Sequence, residues 1–198
     1  TLKSLDGPFD SPILFSALPA EAAGPVEERL AGAGHAVFSN ARNHRMAADV
    51  PLLIPEVNAD HARMIAHQRR RRGWGRGLLV TNPNCSTIHL TLALKPLHDR
   101  FGLRAVLVTT LQALSGAGYP GVASLDATDK VGPYSGGEEE KMATEPLKLL
   151  GDLRDDAFVP GEIVISATCP RVAGRDGHTE SVSLSLVNRA PIEEVAAA

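Results

Sequence analysis

The sequence predicts an α/β unit built on a parallel sheet, followed by an α+β domain in which helices cover one face of a mostly antiparallel sheet. Three observations carry that expectation. Short apolar runs alternate with longer stretches of helical period as far as the Asn-Pro-Asn turn at 82–84, the order expected when each strand returns through a helix to lie beside its predecessor. Beyond Cys85 the runs lengthen and apolar residues alternate with polar ones, as in Ser181-Val-Ser-Leu-Ser-Leu-Val187, which suits a sheet packed on one face. The 198 residues, 43% hydrophobic and 22% charged, have a globular composition with apolar material for two small cores. A boundary near Cys85 gives domains 1–84 and 85–198.

Strand Ile13–Ala17 opens the first domain. Helix Ala20–Ala33 follows, with Ala23, Val26 and Leu30 at helical spacing and Gly32 and Gly34 marking its end. His35–Ser39 is the second strand. Residues 40–49 are polar and loop-like, whereas 52–57 (Leu-Leu-Ile-Pro-Glu-Val) read as extended chain, with Pro55 at an edge or strand end. A helix over Ala59–Arg72 enters through Asn58 as N-cap and leaves through Gly73. Leu78–Thr81 is the third strand, after which Asn82-Pro-Asn-Cys-Ser86 turns the chain into a helix reaching Phe101. Arg104–Ala113 has the length and β-branched content of a long strand. Ser115–Gly137, rich in Gly, Pro and Ser, is too long for a plain connector, and such loops usually carry function. Helix Glu138–Leu150 stops at Gly151, and two long strands, Glu162–Val172 and Thr179–Asn188, flank a Gly-containing connection.

Charge and cysteine usage exclude several classes of function. Twenty Lys plus Arg against 23 Asp plus Glu leave a net charge of −3, so no overall basic field attracts nucleic acid or an anionic membrane. The Arg69–Arg72 run falls at a helix C-terminus, where cations are favourable, and no aromatic residue is interleaved with it. No apolar run approaches the roughly 20 residues that cross a bilayer, and no signal-peptide pattern opens the chain, so a cytoplasmic location is expected. Cys85 and Cys169 lie far apart without CxxC spacing, which argues against a zinc cluster or a disulfide framework. No metal is expected.

The Asn-Pro-Asn-Cys turn is where chemistry concentrates. Cys85 stands where a strand ends and a helix begins, and the unpaired amides of a helix N-terminus favour a thiolate. Most free cysteines are small buried hydrophobes, but the polar turn residues around this one do not make an oily pocket. Cys169, inside an apolar strand, reads as core. A thiolate nucleophile needs a proton-transfer partner near neutral pH, and His178, beside Gly177 between two strands, is a candidate among seven histidines that are individually more often surface residues. Arg171 and Arg175 are either solvated loop charges or a clamp for an anionic substrate. Gln112, near the end of a strand, can orient a reacting group through its amide. Glu138-Glu-Glu-Lys141 opens a helix, where acidic residues are favoured by the dipole alone.

Jointly, these residues resemble the aspartate-semialdehyde dehydrogenase family in its archaeal and fungal form. The matching motifs are Phe15-Ser-Ala-Leu-Pro19, Ser39-Asn-Ala41 with Arg45-Met46, Pro55-Glu-Val-Asn58, Thr81-Asn-Pro-Asn-Cys-Ser-Thr87, Thr110-Leu-Gln-Ala113, Glu138-Glu-Glu-Lys141 and Arg171-Val-Ala-Gly-Arg-Asp-Gly-His178. Each is weak alone; their order across nearly the whole chain is not. The resemblance makes residues 1–84 the C-terminal part of an NADP-binding Rossmann-like domain and 85–198 a catalytic and dimerisation domain. It implies that Cys85 is the nucleophile, His178 the general acid/base and Gln112 the amide that orients the acyl intermediate. It further implies that Arg171 binds the α-carboxylate of the substrate and Glu138 its amino group, with Lys141, Arg45 and Asn84 at the phosphate. Ser16, Ala17 and Leu18 fall to the cofactor site. The implied reaction converts aspartyl 4-phosphate and NADPH to aspartate 4-semialdehyde, NADP and phosphate through a cysteine thioester, in a homodimer or dimer of dimers.

The resemblance also implies a departure. Family members open with a strand and a Gly-rich turn that seats the pyrophosphate of the cofactor, and they close with a helix returning to the nucleotide domain. Here Thr1 is not an initiator Met, Ile13 follows only a polar lead, and Pro191–Ala198 reads as a helix barely begun. A fragment lacking both elements is therefore expected, binding NADPH poorly and inactive alone. A malonyl-CoA reductase-like acyl-CoA reductase is the nearest alternative. A Cys–His hydrolase would use the same pair, and a non-catalytic fragment or interaction module would keep the fold without turnover.

Overall fold

Three short parallel strands begin the fold in the computed structural model, which describes residues 4–198. β1 (Ile13–Ser16), β2 (Ala36–Ser39) and β3 (Leu78–Thr81) lie side by side in that order, with Ile13 opposite Ala36 and Ala36 opposite Leu78. Parallel neighbours need a crossover, and α1 (Ala20–Gly32) supplies the first. Its Leu30 and Ala31 pack with Val37, Val50 and Leu79 in one buried cluster. Gly77 lets the start of β3 come close to that helix, since a Cβ there would stand 1.7 Å from the Ala31 carbonyl oxygen.

Between β2 and β3 the structure corrects two expectations. The segment 52–57 is not a strand: Leu52 makes a single bridge to Thr81, and Pro55 opens the short helix α2 (Pro55–Asn58). Proline is suited to a first helical turn, where its missing N–H has no partner to lose. The expected helix over 59–72 begins as a 3-10 turn (Ala59–Arg63) and becomes α3 (Met64–Arg72), closed by Gly73 at φ 67°. Asn58 does not cap it. Its side chain is bound one turn back, accepting from the Ile54 amide and donating to the Leu52 carbonyl. Arginines of the 69–72 run are engaged by residues near in space: Arg72 pairs with Asp49 and Glu28 and lies over the Trp74 ring, Arg70 meets Asp156, and Arg69 donates to the carbonyls of Gly77 and Arg76.

Along the rest of the chain come α4 (Cys85–Phe101), β4 (Leu103–Leu111), α5 (Ser124–Ala127), α6 (Glu138–Leu149), β5 (Asp152–Arg154), β6 (Ala157–Val159), β7 (Val164–Thr168), β8 (Thr179–Leu186) and α7 (Ile192–Ala196). Residues up to Pro83 with Gly151–Val159 make one compact unit, and Asn84–Leu150 with Pro160–Ala198 make the other. In the second unit β4 is central, parallel to β7 and antiparallel to β8. The antiparallel ladder is the longer, yet the sheet is mixed, and β7 and β8 do not pair with each other. Regular pairing along the expected strand 162–172 is confined to 164–168, because from Cys169 the chain leaves the sheet for isolated bridges between Arg171 and both Gln112 and Gly132.

β4 alternates in burial. Val106, Val108 and Thr110 are buried on the face that α4 and α6 approach, while Leu107 and Leu111 are exposed on the other. The β5–β6 hairpin was not expected. Its two turn residues, Asp155 and Asp156, sit at φ 46° and 63°, and paired aspartates carry no Gly signal for that geometry.

Candidate active site

The site is built where the turn after β3 becomes α4. Asn84 is the N-cap, its Oδ1 accepting from the amides of Ser86 (3.0 Å) and Thr87 (3.3 Å). That leaves Cys85 as the first residue of the helix, with an exposed thiol. Asn84 is held from two further directions: its amide N–H donates to Glu145 Oε2 (2.8 Å) and its Nδ2 to Glu138 Oε2 (2.8 Å). Because one end of the side chain takes amides and the other gives to a carboxylate, its orientation is fixed.

His178 reaches this turn from the connection preceding β8, where Gly177 adopts φ 79°. Its Nε2 lies 3.3 Å from Cys85 Sγ, and its Nδ1 accepts the Ala113 amide N–H at 2.9 Å. The ring of His89, one turn along α4 from Cys85, stands edge-on to it with centroids 6.5 Å apart. Burial holds the His178 pKa below its ordinary value; Arg171 and His89 add to that shift, and Glu138 opposes it. Gly116 makes room for the ring, since a Cβ there would stand 2.6 Å from Cε1 and 2.9 Å from Nε2 of His178.

Gln112 is buried, and its Nε2 donates to both Ser86 Oγ and Thr110 Oγ1 at 2.8 Å. Arg171 Nη1 donates to the Ala113 carbonyl (2.5 Å). Glu138, in the first turn of α6, receives Lys141 Nζ at 2.6 Å on Oε1 while Asn84 binds Oε2. Gly116, Lys130, Tyr134, Glu138 and Arg171 line a cavity of about 500 Å3, which offers both signs of charge to a zwitterionic ligand.

Seven sequence-predicted residues, Asn84, Cys85, Gln112, Glu138, Lys141, Arg171 and His178, are thus linked through contacts within one unit. The other four belong to the first unit. Arg45 is buried there with Nη2 donating to the Asn40 carbonyl (2.8 Å). Ser16 ends β1, its hydroxyl bound to Glu27 Oε1 (2.5 Å), and Ala17 and Leu18 follow. Ser16 and Ala17 line a largely apolar cleft of about 350 Å3 with Phe15, Phe38, Asn40 and Thr81. Sequence reasoning missed His89, Ala113, Gly116 and Glu145. His89 was findable, as residues four apart share a helix face; a backbone amide and a glycine between small neighbours give no signal. Cys169 is buried, as expected of a core residue.

Residues 94–198 match the family model for the semialdehyde dehydrogenase dimerisation domain, and residues 6–65 that for the semialdehyde dehydrogenase NAD binding domain. The aspartate-semialdehyde dehydrogenase of Archaeoglobus fulgidus is 53% identical over 189 residues, covering 96% of this chain and 54% of that protein. The malonyl CoA reductase (NADP) of Metallosphaera sedula is 43% identical over 173 residues, covering 86% and 48%. Among solved structures, the aspartate semialdehyde dehydrogenase with NADP from Candida albicans superposes with a TM-score of 0.84 at 41% identity, over 94% of this chain and 54% of that one. The chain spans about half the length of the curated relatives it matches.

Proposed function

The chain belongs to the semialdehyde dehydrogenase family, and from that premise we propose that the complete protein is an aspartate-semialdehyde dehydrogenase. It reduces L-aspartyl 4-phosphate to L-aspartate 4-semialdehyde with NADPH, releasing phosphate, in lysine, threonine and methionine biosynthesis. The observation that carries this reading is the 3.3 Å approach of His178 Nε2 to Cys85 Sγ at the first residue of α4. An exposed sulfur at the positive end of a helix dipole, beside a titratable ring, meets the needs of a thioester-forming nucleophile.

Attack of Cys85 on the acyl carbon forms the S–C bond as the C–O bond to phosphate breaks, and that electron pair leaves with the phosphate. The nicotinamide cofactor, when bound, supplies the hydride that takes the thioester to the aldehyde level. Breaking the C–S bond then returns the sulfur as thiolate. His178 is the acid/base group in reach of these atoms, and the locked amide of Gln112 orients the acyl group. Arg171 suits the α-carboxylate, Glu138 the α-amino group, and Asn84 and Lys141 the phosphate. Arg45 joins the phosphate set on the strength of the resemblance.

The first unit fits a dinucleotide. Its cleft lies at the carboxyl ends of parallel strands, where doubly wound sheets bind nucleotides, and the stacked Phe15 and Phe38 rings give it an apolar wall. Ser16, Ala17 and Leu18 would hold the cofactor there. Two copies pair as a homodimer, alone or within a dimer of dimers, and the enzyme works in the cytoplasm; among the described residues no helix is long and apolar enough to cross a membrane.

A coenzyme A thioester substrate is the second reading, supported by the identity to the malonyl CoA reductase. Glu138, poised for an amino group, favours the amino-acid substrate. The complete gene product is expected to reduce NADP with aspartate semialdehyde only when phosphate is supplied. A requirement for coenzyme A would favour the second reading, and hydrolysis without a nicotinamide would overturn both.

A further inference from the structure

Two different groups reach opposite nitrogens of the His178 ring. The Ala113 amide N–H donates to Nδ1 at 2.9 Å, and Cys85 Sγ lies 3.3 Å from Nε2. A backbone amide is only ever a donor, so the nitrogen it reaches must present a lone pair. A neutral imidazole carries one proton, which then resides on Nε2. We infer that the Ala113 amide is a positioning group that locks neutral His178 as its Nε2–H tautomer, so that the resting ring meets Cys85 as a hydrogen-bond donor.

The surroundings support this assignment from every side. Arg171 grips the carbonyl of the same Ala113 residue, and the absence of a Cβ at Gly116 leaves the ring the space it occupies. A second proton would have to sit on Nδ1, setting two donors face to face at 2.9 Å, with the Arg171 guanidinium and the edge of His89 close by and only the Glu138 carboxylate in favour. Burial, first, and then Arg171 and His89 lower the pKa of His178, which likewise favours the neutral ring. A resting thiolate–imidazolium pair is therefore disfavoured.

The consequence for catalysis rests on the function proposed above. In the acylation step the S–C bond forms and the C–O bond to phosphate breaks with no proton passing to Nε2, so a ring fixed as a donor is sufficient. Its N–H is then available to the sulfur and to the oxygen on which negative charge develops.

The test is nitrogen NMR of the 198-residue chain labelled with 15N, the His178 signals being assigned by their loss in His178→Gln. At neutral pH and above, Nδ1 is expected at the shift of an unprotonated ring nitrogen, Nε2 at that of a protonated one, with a scalar coupling between Nδ1 and the Ala113 amide nitrogen. Cys85→Ala should leave both shifts in their classes, because the amide and not the sulfur sets the tautomer. A proton on Nδ1, a doubly protonated ring at neutral pH, or a tautomer that reverses in Cys85→Ala overturns the inference. The readout is independent of turnover: an inactive complete enzyme with this tautomer refutes the proposed function alone, and an active one with the opposite tautomer refutes the inference alone.

Discussion

Cys85 and His178 come from segments 93 residues apart, and their meeting depends on neighbours that have no reactive atoms of their own. Cys85→Ser is expected to lower turnover of the complete enzyme by about a thousandfold or more, since a serine hydroxyl has no comparable access to its anion; steady-state kinetics near the parent's would end the covalent scheme. His178→Gln should cost about 10²–10⁴-fold, the usual span for an acid/base group. Gly116→Ala should approach the His178→Gln loss while the protein stays folded, because the new methyl takes the space of the ring and of the Arg171 guanidinium. Retained kcat in that variant would show that the ring is not where turnover needs it. Glu180 makes a separate prediction. Burial raises its pKa to about 7 from an ordinary 4.5, and its Oε1 has no partner among the described residues. A raised folded-state pKa means that ionising the group opposes folding: the cost is absent below the ordinary value, grows as pH rises, and is complete above about 7. Glu180→Gln is thus expected to melt higher than the parent at mildly alkaline pH and alike at acid pH; an equal gain at both would assign the effect to packing.

At the scale of elements, the N-terminus of α4 holds the site through Asn84. Asn84→Ala removes the cap, worth about 1 kcal/mol, and leaves Glu138 without its Nδ2 donor. Asn84→Asp keeps the cap acceptor but sets a second carboxylate against Glu138. Thermal melts should therefore show both variants destabilised, and KM for phosphate should rise in both; wild-type melting of Asn84→Asp would mean that the Glu138 contact contributes nothing. This helix was legible in the sequence because the Asn-Pro-Asn turn and the long stretch after it point to one start. β1, β3 and α6 were legible for similar reasons of period and punctuation. What was not legible depended on contacts remote in sequence. Asn58 reads as a cap, but a carbonyl and an amide one turn back compete for its side chain and win. β7 runs parallel to β4 although its neighbours in sequence suggest a simple antiparallel return. Among site residues, side chains with reactive atoms could be listed from motifs, whereas the Ala113 amide and the empty Cβ position of Gly116 have meaning only once His178 is folded against them.

At the scale of the whole molecule, the second unit leaves one face of its mixed sheet open. Leu107 of β4 is 59% exposed and Val164 of β7 71%, and Leu107 is flanked in register by Ser166 of β7 and Ser183 of β8. Apolar side chains at the centre of a small-residue surface fit a self-complementary interface, because a second copy of the same sheet can lie flat on it. Residues 94–198, which contain this sheet, are also the part that matches a dimerisation domain. Leu107→Arg would place like charges near the axis of such a pair, and is expected to convert the protein to monomer at concentrations where the parent sediments as a dimer. Leu107 belongs to the exposed set of β4, while Val106 and Val108 carry the core contacts, so the isolated fold should survive the change and retain the far-UV spectrum of the parent. Analytical ultracentrifugation of both proteins decides the matter: a parent that is already monomeric, or a Leu107→Arg variant that remains dimeric, would remove this face from the assembly.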